Sequence, residues 1–127
     1  MVIYAEEMSL HTGEETDWTA ATTTPSYQPK TSGRLIQVKL FFGQTDATSV
    51  VTVASARLQC PLWGVDVQVT LQGAGIQTAP AFPNSVGIQN VDVPVQTGVP
   101  ITVAFKHLVN AETPVTSNLK LVGVFEA

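Results

Sequence analysis

Residues 64–72 read Gly-Val-Asp-Val-Gln-Val-Thr-Leu-Gln, with Val65, Val67, Val69 and Leu71 on one parity and Asp66, Gln68, Thr70 and Gln72 on the other. Successive strand side chains point to opposite faces, so this segment carries one apolar and one polar face. Such a strand packs on a core from one side only, which is the habit of antiparallel sheets. Much of the chain repeats the arrangement. In 34–42, Ile36, Val38, Leu40 and Phe42 oppose Leu35, Gln37, Lys39 and Phe41, so Leu35 and Phe41 are expected as apolar spots on the outer face. In 49–59, Ala54, Ala56 and Leu58 oppose Ser55, Arg57 and Gln59, and Cys60-Pro61-Leu62-Trp63 predicts a bend into the central strand.

Farther along, 88–95 places Val91, Val93 and Val95 against Asn90, Asp92 and Pro94. A proline cannot donate to a ladder, so Pro94 suits an edge strand or the outer register. Val99, Ile101, Val103 and Phe105 share a face in 99–109. The final strand, 118–126, sets Leu119, Leu121 and Phe125 against Lys120, Val122, Val124 and Glu126, and Gly123 is expected to mark a bulge. Two prolines and three glycines in 73–87 forbid a helix and predict a long contact loop carrying Phe82.

The first 32 residues differ in character. Val2-Ile3-Tyr4 has the composition of a short strand, an acid-rich piece follows, and 18–24 reads as a strand. We expect an N-terminal arm over 1–17 and one β-sandwich domain over 18–127. Val2, Ile3, Tyr4, Met8 and Leu10 require that the arm pack on its own domain or on a neighbour. About eight strands with turns every 8 to 12 residues predict an all-β fold, an antiparallel two-sheet sandwich of the jelly-roll type. An immunoglobulin-like sandwich is the alternative, without its paired cysteines.

Charge changes the picture most. Charged residues make up 13% of the chain, against roughly 25% in ordinary soluble domains. Thr, Gln, Ser and Asn take their place, and a surface this neutral suits contact with other protein. The net charge is −4; Glu6, Glu7, Glu14, Glu15 and Asp17 precede residue 18, and no basic residue precedes Lys30. The six basic residues are scattered, which excludes the concentrated positive surface that nucleic acid requires. No apolar run approaches the roughly 20 residues of a membrane helix, so no membrane partner is expected. The amino terminus has no basic region followed by an apolar run, so no signal peptide is expected and synthesis is placed in a cytoplasm.

The chemistry-bearing residues are sparse. Cys60, the one cysteine, excludes an intrachain disulfide and reads as a small buried hydrophobe. His11 and His107 stand about a hundred residues apart, outside any ligand-spaced cluster. Asp66 and Asp92 can meet across strands as a carboxylate pair, yet both sit on polar parities where solvated carboxylates are expected. No catalytic residue, metal or cofactor is therefore expected. Tyr4, Met8, Leu10, Trp18, Tyr27 and Phe82 are the candidate interaction residues, as subunit anchors or as a platform for sugar stacking, and Trp63 is expected to close one end of the core.

The strand series from Arg34 to Glu126, preceded by the apolar-studded arm, resembles small single jelly-roll capsid and decoration proteins of viruses and phages. That resemblance implies a non-enzymatic virion protein: a homo-oligomer, most often a trimer, whose arm reaches over a neighbour and whose other partners are virion proteins. A monomeric carbohydrate- or ligand-binding module is the alternative.

Overall fold

A computed structural model describes residues 2–13, 17–20, 26–44, 51–72, 86–109 and 117–127. These residues are all strand, turn and irregular segment: β1 (Ile3–Gly13), β2 (Thr19–Ala20), β3 (Ser26–Tyr27), β4 (Gly33–Gln44), β5 (Val51–Gln59), β6 (Val67–Gln72), β7 (Val86–Val95), β8 (Ile101–Val109) and β9 (Ser117–Glu126). Four strands form one sheet in the order β1-β9-β4-β7, and the other sheet runs β2-β8-β5-β6 with β3 also on β8. Every pairing is antiparallel.

The pairings nest. β5 meets β6 across the Cys60–Asp66 connection, β4 meets β7 outside that pair, β3 meets β8 outside that, and β1 meets β9 outermost. A chain folded back on itself in this way and wrapped into two sheets is a jelly roll, and the nesting separates it from the immunoglobulin-like alternative. The two short strands share one edge of β8: Thr19 and Ala20 oppose Phe105 and Ala104, and Ser26 and Tyr27 oppose Thr102 and Ile101. They act as one interrupted strand, which reconciles nine segments with the expected eight. The expected strand at 18–24 keeps only Thr19–Ala20 among its described residues.

Residues 3–13, expected as an arm, form the eleven-residue strand β1 against β9 of the same chain. Between Glu7 and Ser9 the register slips, leaving Met8 as the extra residue. The slip lets both Met8 and Ser9 be buried and moves the inward parity from Tyr4 and Glu6 to His11. β4 does the same at Ile36 against β9, while in the β4–β7 pairing the extra residue at that point lies on β7. Leu35, expected outside, is therefore fully buried together with Val38 and Leu40. Gly123 is not a bulge: β9 keeps an unbroken alternation, with Leu119, Leu121, Gly123 and Phe125 all buried, and its partners carry the irregularities.

The inner faces meet in one core that includes Leu40, Leu58, Val69, Val103, Phe105, Leu121 and Phe125, with Cys60 at its margin. Val65, expected inward, is 77% exposed because β6 begins only at Val67. Two turns set strand entries. Trp63 N–H donates to the Cys60 carbonyl at 3.0 Å, and Val99 N–H donates to the Gln96 carbonyl at 3.0 Å. In the second turn Gly98 takes φ 88° at the third position, a type II turn that favours glycine. Pro94 lies on β7, the edge of its sheet, where proline is tolerated.

Candidate interaction surface

The two outer faces of the sandwich differ, and strand register decides which residues they carry. On the five-stranded sheet, the rows are Thr70–Ser55–Lys106 and Gln68–Arg57–Ala104–Ala20. Thr70, Ser55, Lys106, Gln68 and Arg57 make these two rows largely polar, with the Ser55 and Thr70 hydroxyls 3.2 Å apart. The row beyond them is Gln72–Val53–Leu108. On the four-stranded sheet, the rows are Ala5–Val124–Gln37–Asn90, Glu7–Val122–Lys39–Ile88 and Leu10–Lys120–Phe41. Val122, Val124 and Phe41 are half-buried there, and Leu10 and Ile88 are exposed. The wet side of this sheet is thus studded with apolar side chains that the described residues leave partly or fully open.

Charges are set among these apolar side chains. Glu7 lies on β1, and Lys39 and Lys120 lie on the central strands, with the Lys120 ammonium 5.1 Å from the centre of the Phe41 ring. One face carrying both signs can oppose a second copy of itself without stacking like on like.

The sequence-predicted interaction residues fall into separate places. Tyr4 is half-buried on β1, where its ring stacks on Phe125 at 5.4 Å and its hydroxyl bonds Thr31 Oγ1 at 2.6 Å. Tyr27 stacks on the same Phe125 at 5.7 Å. Met8 and Tyr27 lie within the chain's own core, 1% and 6% exposed. Leu10 faces outward in the apolar patch. Trp18 lies on the opposite outer face, under the Arg57 guanidinium at 4.7 Å and near the Lys106 ammonium at 5.8 Å. Phe82 lies outside the described residues. Sequence reasoning missed Val122, Val124 and Ile88 as candidates, although the outward parity of Val122 and Val124 in 118–126 was the signal.

Beside Tyr27, Glu6 accepts a salt bridge from Lys30 at 2.9 Å. Burial, then the Glu6 charge and Tyr4, push the Tyr27 hydroxyl from 10.0 up to about 12. That hydroxyl is buried with no hydrogen-bond partner among the described residues.

The carboxylate pair does converge on one place. Asp66 and Asp92 both line an open cleft of about 420 Å³ between β6 and β7, with Gln68, Gln89 and Val91. Each already has a partner: Arg34 grips the Asp92 carboxylate and its backbone carbonyl, and Gln59 donates to Asp66 at 3.2 Å. His11 is buried and stacked on Phe105 at 6.0 Å. Among the described residues, no three His, Cys, Asp or Glu side chains gather as a metal site requires.

No family model matches this sequence, and no curated protein matches it. Solved structures are similar in fold. Eiger TNF from S. frugiperda superposes with a TM-score of 0.50 at 8% identity, over 98% of this chain and 92% of that one. The globular domain of the zebrafish complement 1qA protein gives 0.44 at 10% identity, over 96% and 98%. The capsid structure of Helicobacter pylori bacteriophage KHP30 gives 0.44 at 10% identity, over 99% and 95%. These likenesses concern the fold alone: the chain is a jelly-roll module, and phage capsid structures stand among those it is similar to.

Proposed function

We propose that this chain is a non-enzymatic structural subunit of a virus or phage particle, a capsid or capsid-decorating protein located in the virion. It assembles with copies of itself, in a cyclic oligomer such as a trimer, and with other virion proteins. The outer face of the four-stranded sheet is the main contact, with β1 and the loops beside it. One observation carries the reading. Val122, Val124, Phe41, Leu10 and Ile88 stand on a single outer sheet face, alternating there with Glu7, Lys39 and Lys120. Apolar side chains interleaved with Glu7, Lys39 and Lys120 give that face both apolar and charge-complementary contacts to offer a second copy. The low charge of the whole chain supports the same reading.

Light scattering after size exclusion, across a hundredfold concentration range, tests it. The expected result is a fixed multiple of 13.5 kDa. Val122→Asp and Val124→Asp place a carboxylate in the apolar row and are expected to return the mass to that of one chain, with an unchanged β spectrum. A strict monomer throughout the range, or an oligomer indifferent to both substitutions, overturns the proposal.

A further inference from the structure

The six cations of this acidic chain are not distributed alike. Lys30 is held by Glu6, and Arg34 by Asp92. Arg57 and Lys106 are instead brought together on the outer face of the five-stranded sheet. Register places Lys106 opposite Ser55 and Arg57 opposite Ala104, so the two cations are diagonal neighbours across β5 and β8. Continuing the Thr19–Phe105 pairing by one residue puts Trp18 beside Lys106. Both cations then share the Trp18 ring, at 4.7 and 5.8 Å from its centre.

Two like charges in adjacent positions repel, and among the described residues neither meets a carboxylate. The negative face of the indole offsets part of that repulsion, and holds both groups in place. The Arg57 guanidinium is further short of acceptors: its Nε is buried and has no hydrogen-bond partner among the described residues. Its remaining N–H groups form a fork shaped for two oxygens of one planar or tetrahedral anion, and an ammonium adds a point charge beside it. The Ser55 and Thr70 hydroxyls continue the same row.

We infer that Trp18, Arg57 and Lys106 form a binding site for an oxyanion group, a sulfate or carboxylate carried by a small ligand. The bound anion neutralises the paired cations and offers two oxygen acceptors to the terminal N–H groups of the Arg57 fork. One pair of cations on a chain of net charge −4 suits a single anionic group and not a polyanion. The site is on the face opposite the apolar patch, so it stands or falls independently of the assembly proposed above.

The test follows the two indole N–H resonances of the full chain during titration with sodium sulfate and, separately, sodium glucuronate, against sodium chloride at matched ionic strength. The Trp18 resonance is expected to shift saturably with one or both oxyanions and to stay still in chloride, while the Trp63 resonance remains fixed. Saturation by sulfate alone assigns a sulfate ligand, and saturation by glucuronate assigns a carboxylate. Arg57→Gln is expected to weaken binding at least tenfold. Lys106→Gln, checked for folding by its Trp63 resonance, carries the same test should the arginine variant fail to fold. A Trp18 resonance that moves alike in all three salts, or a folded variant that binds as the parent does, overturns the inference.

Discussion

Gly123 of β9 faces Met8 of β1 so closely that a Cβ on the glycine would stand 2.7 Å from the methionine sulfur. The same Cβ would meet the Phe125 ring at 2.8 Å. The methionine has torsions with which to yield, but Phe125 is stacked by both Tyr4 and Tyr27 and is 1% exposed. Gly123→Ala is therefore expected to destabilise by about 1–3 kcal/mol, the usual cost of forcing extra volume into a packed core. Chemical denaturation measures it. In a Phe125→Leu background the further cost of the alanine is expected to shrink, because the ring that cannot move is gone.

That contact also shows what the sequence conceals. Alternation made the β6, β8 and β9 faces legible: Val67, Val69, Ile101, Val103, Phe105, Leu119 and Leu121 are buried as their parities require. Parity fails where a strand gains a residue relative to its neighbours. Leu35 is buried because Ile36 is the extra residue, and Leu35-Ile36 is apolar on both parities, so no local signal marks the slip. Met8 and Ser9 are the same case. The Trp18 cluster was hidden for another reason: its three members meet only through the pairings of β2 and β5 with β8, and pairing order is not written in periodicity.

Tyr27 makes stability depend on alkaline pH. Its hydroxyl titrates near 10 in the unfolded chain and at about 12 in the folded one. The folded state therefore holds this proton more tightly, and the associated stability is whole below pH 10. It is lost as pH rises from about 10 to 12. Tyr27→Phe removes the titrating group and is expected to flatten this part of the pH–stability curve. Near pH 7 the substitution is expected to be neutral or stabilising by up to about 1 kcal/mol, since it deletes a buried hydroxyl with no described partner. Thermal melts of both proteins between pH 7 and 12 check it. A parallel fall in the two melting curves contradicts the assignment.

Trp63 ties the β5–β6 turn of one sheet to the edge of the other. Its indole N–H donates to the Pro94 carbonyl of β7 at 2.7 Å, while its ring packs against the core. Trp63→Phe keeps an aromatic ring and removes the hydrogen bond, so the expected loss is about 1 kcal/mol. Hydrogen exchange of β7 amides is expected to quicken more than that of β9 amides, since β7 is the edge strand and β9 is central. Equal changes in both strands would mean that Trp63 acts only through the common core.

Removing residues 1–13 is expected to unfold the domain, not simply to weaken its association. β1 covers the free edge of β9, and its Met8 and His11 side chains are buried, the latter against Phe105 of the opposite sheet. Truncation takes the side chains of Met8, Ser9 and His11 from the core and leaves one side of β9 without a ladder partner. A buried Met lost to a cavity alone costs about 2–5 kcal/mol, a large part of the roughly 5–15 kcal/mol that holds an ordinary domain together. The truncated chain is expected to lose its cooperative melt and to bind a hydrophobic dye. Leu10→Lys is the informative companion, because Leu10 points outward in the apolar patch and is absent from the core. It is expected to leave the melting temperature of the isolated chain within a few degrees while reducing the oligomer mass. If the truncated chain melts cooperatively near the parent temperature, β1 is not part of the domain's own core and serves association alone.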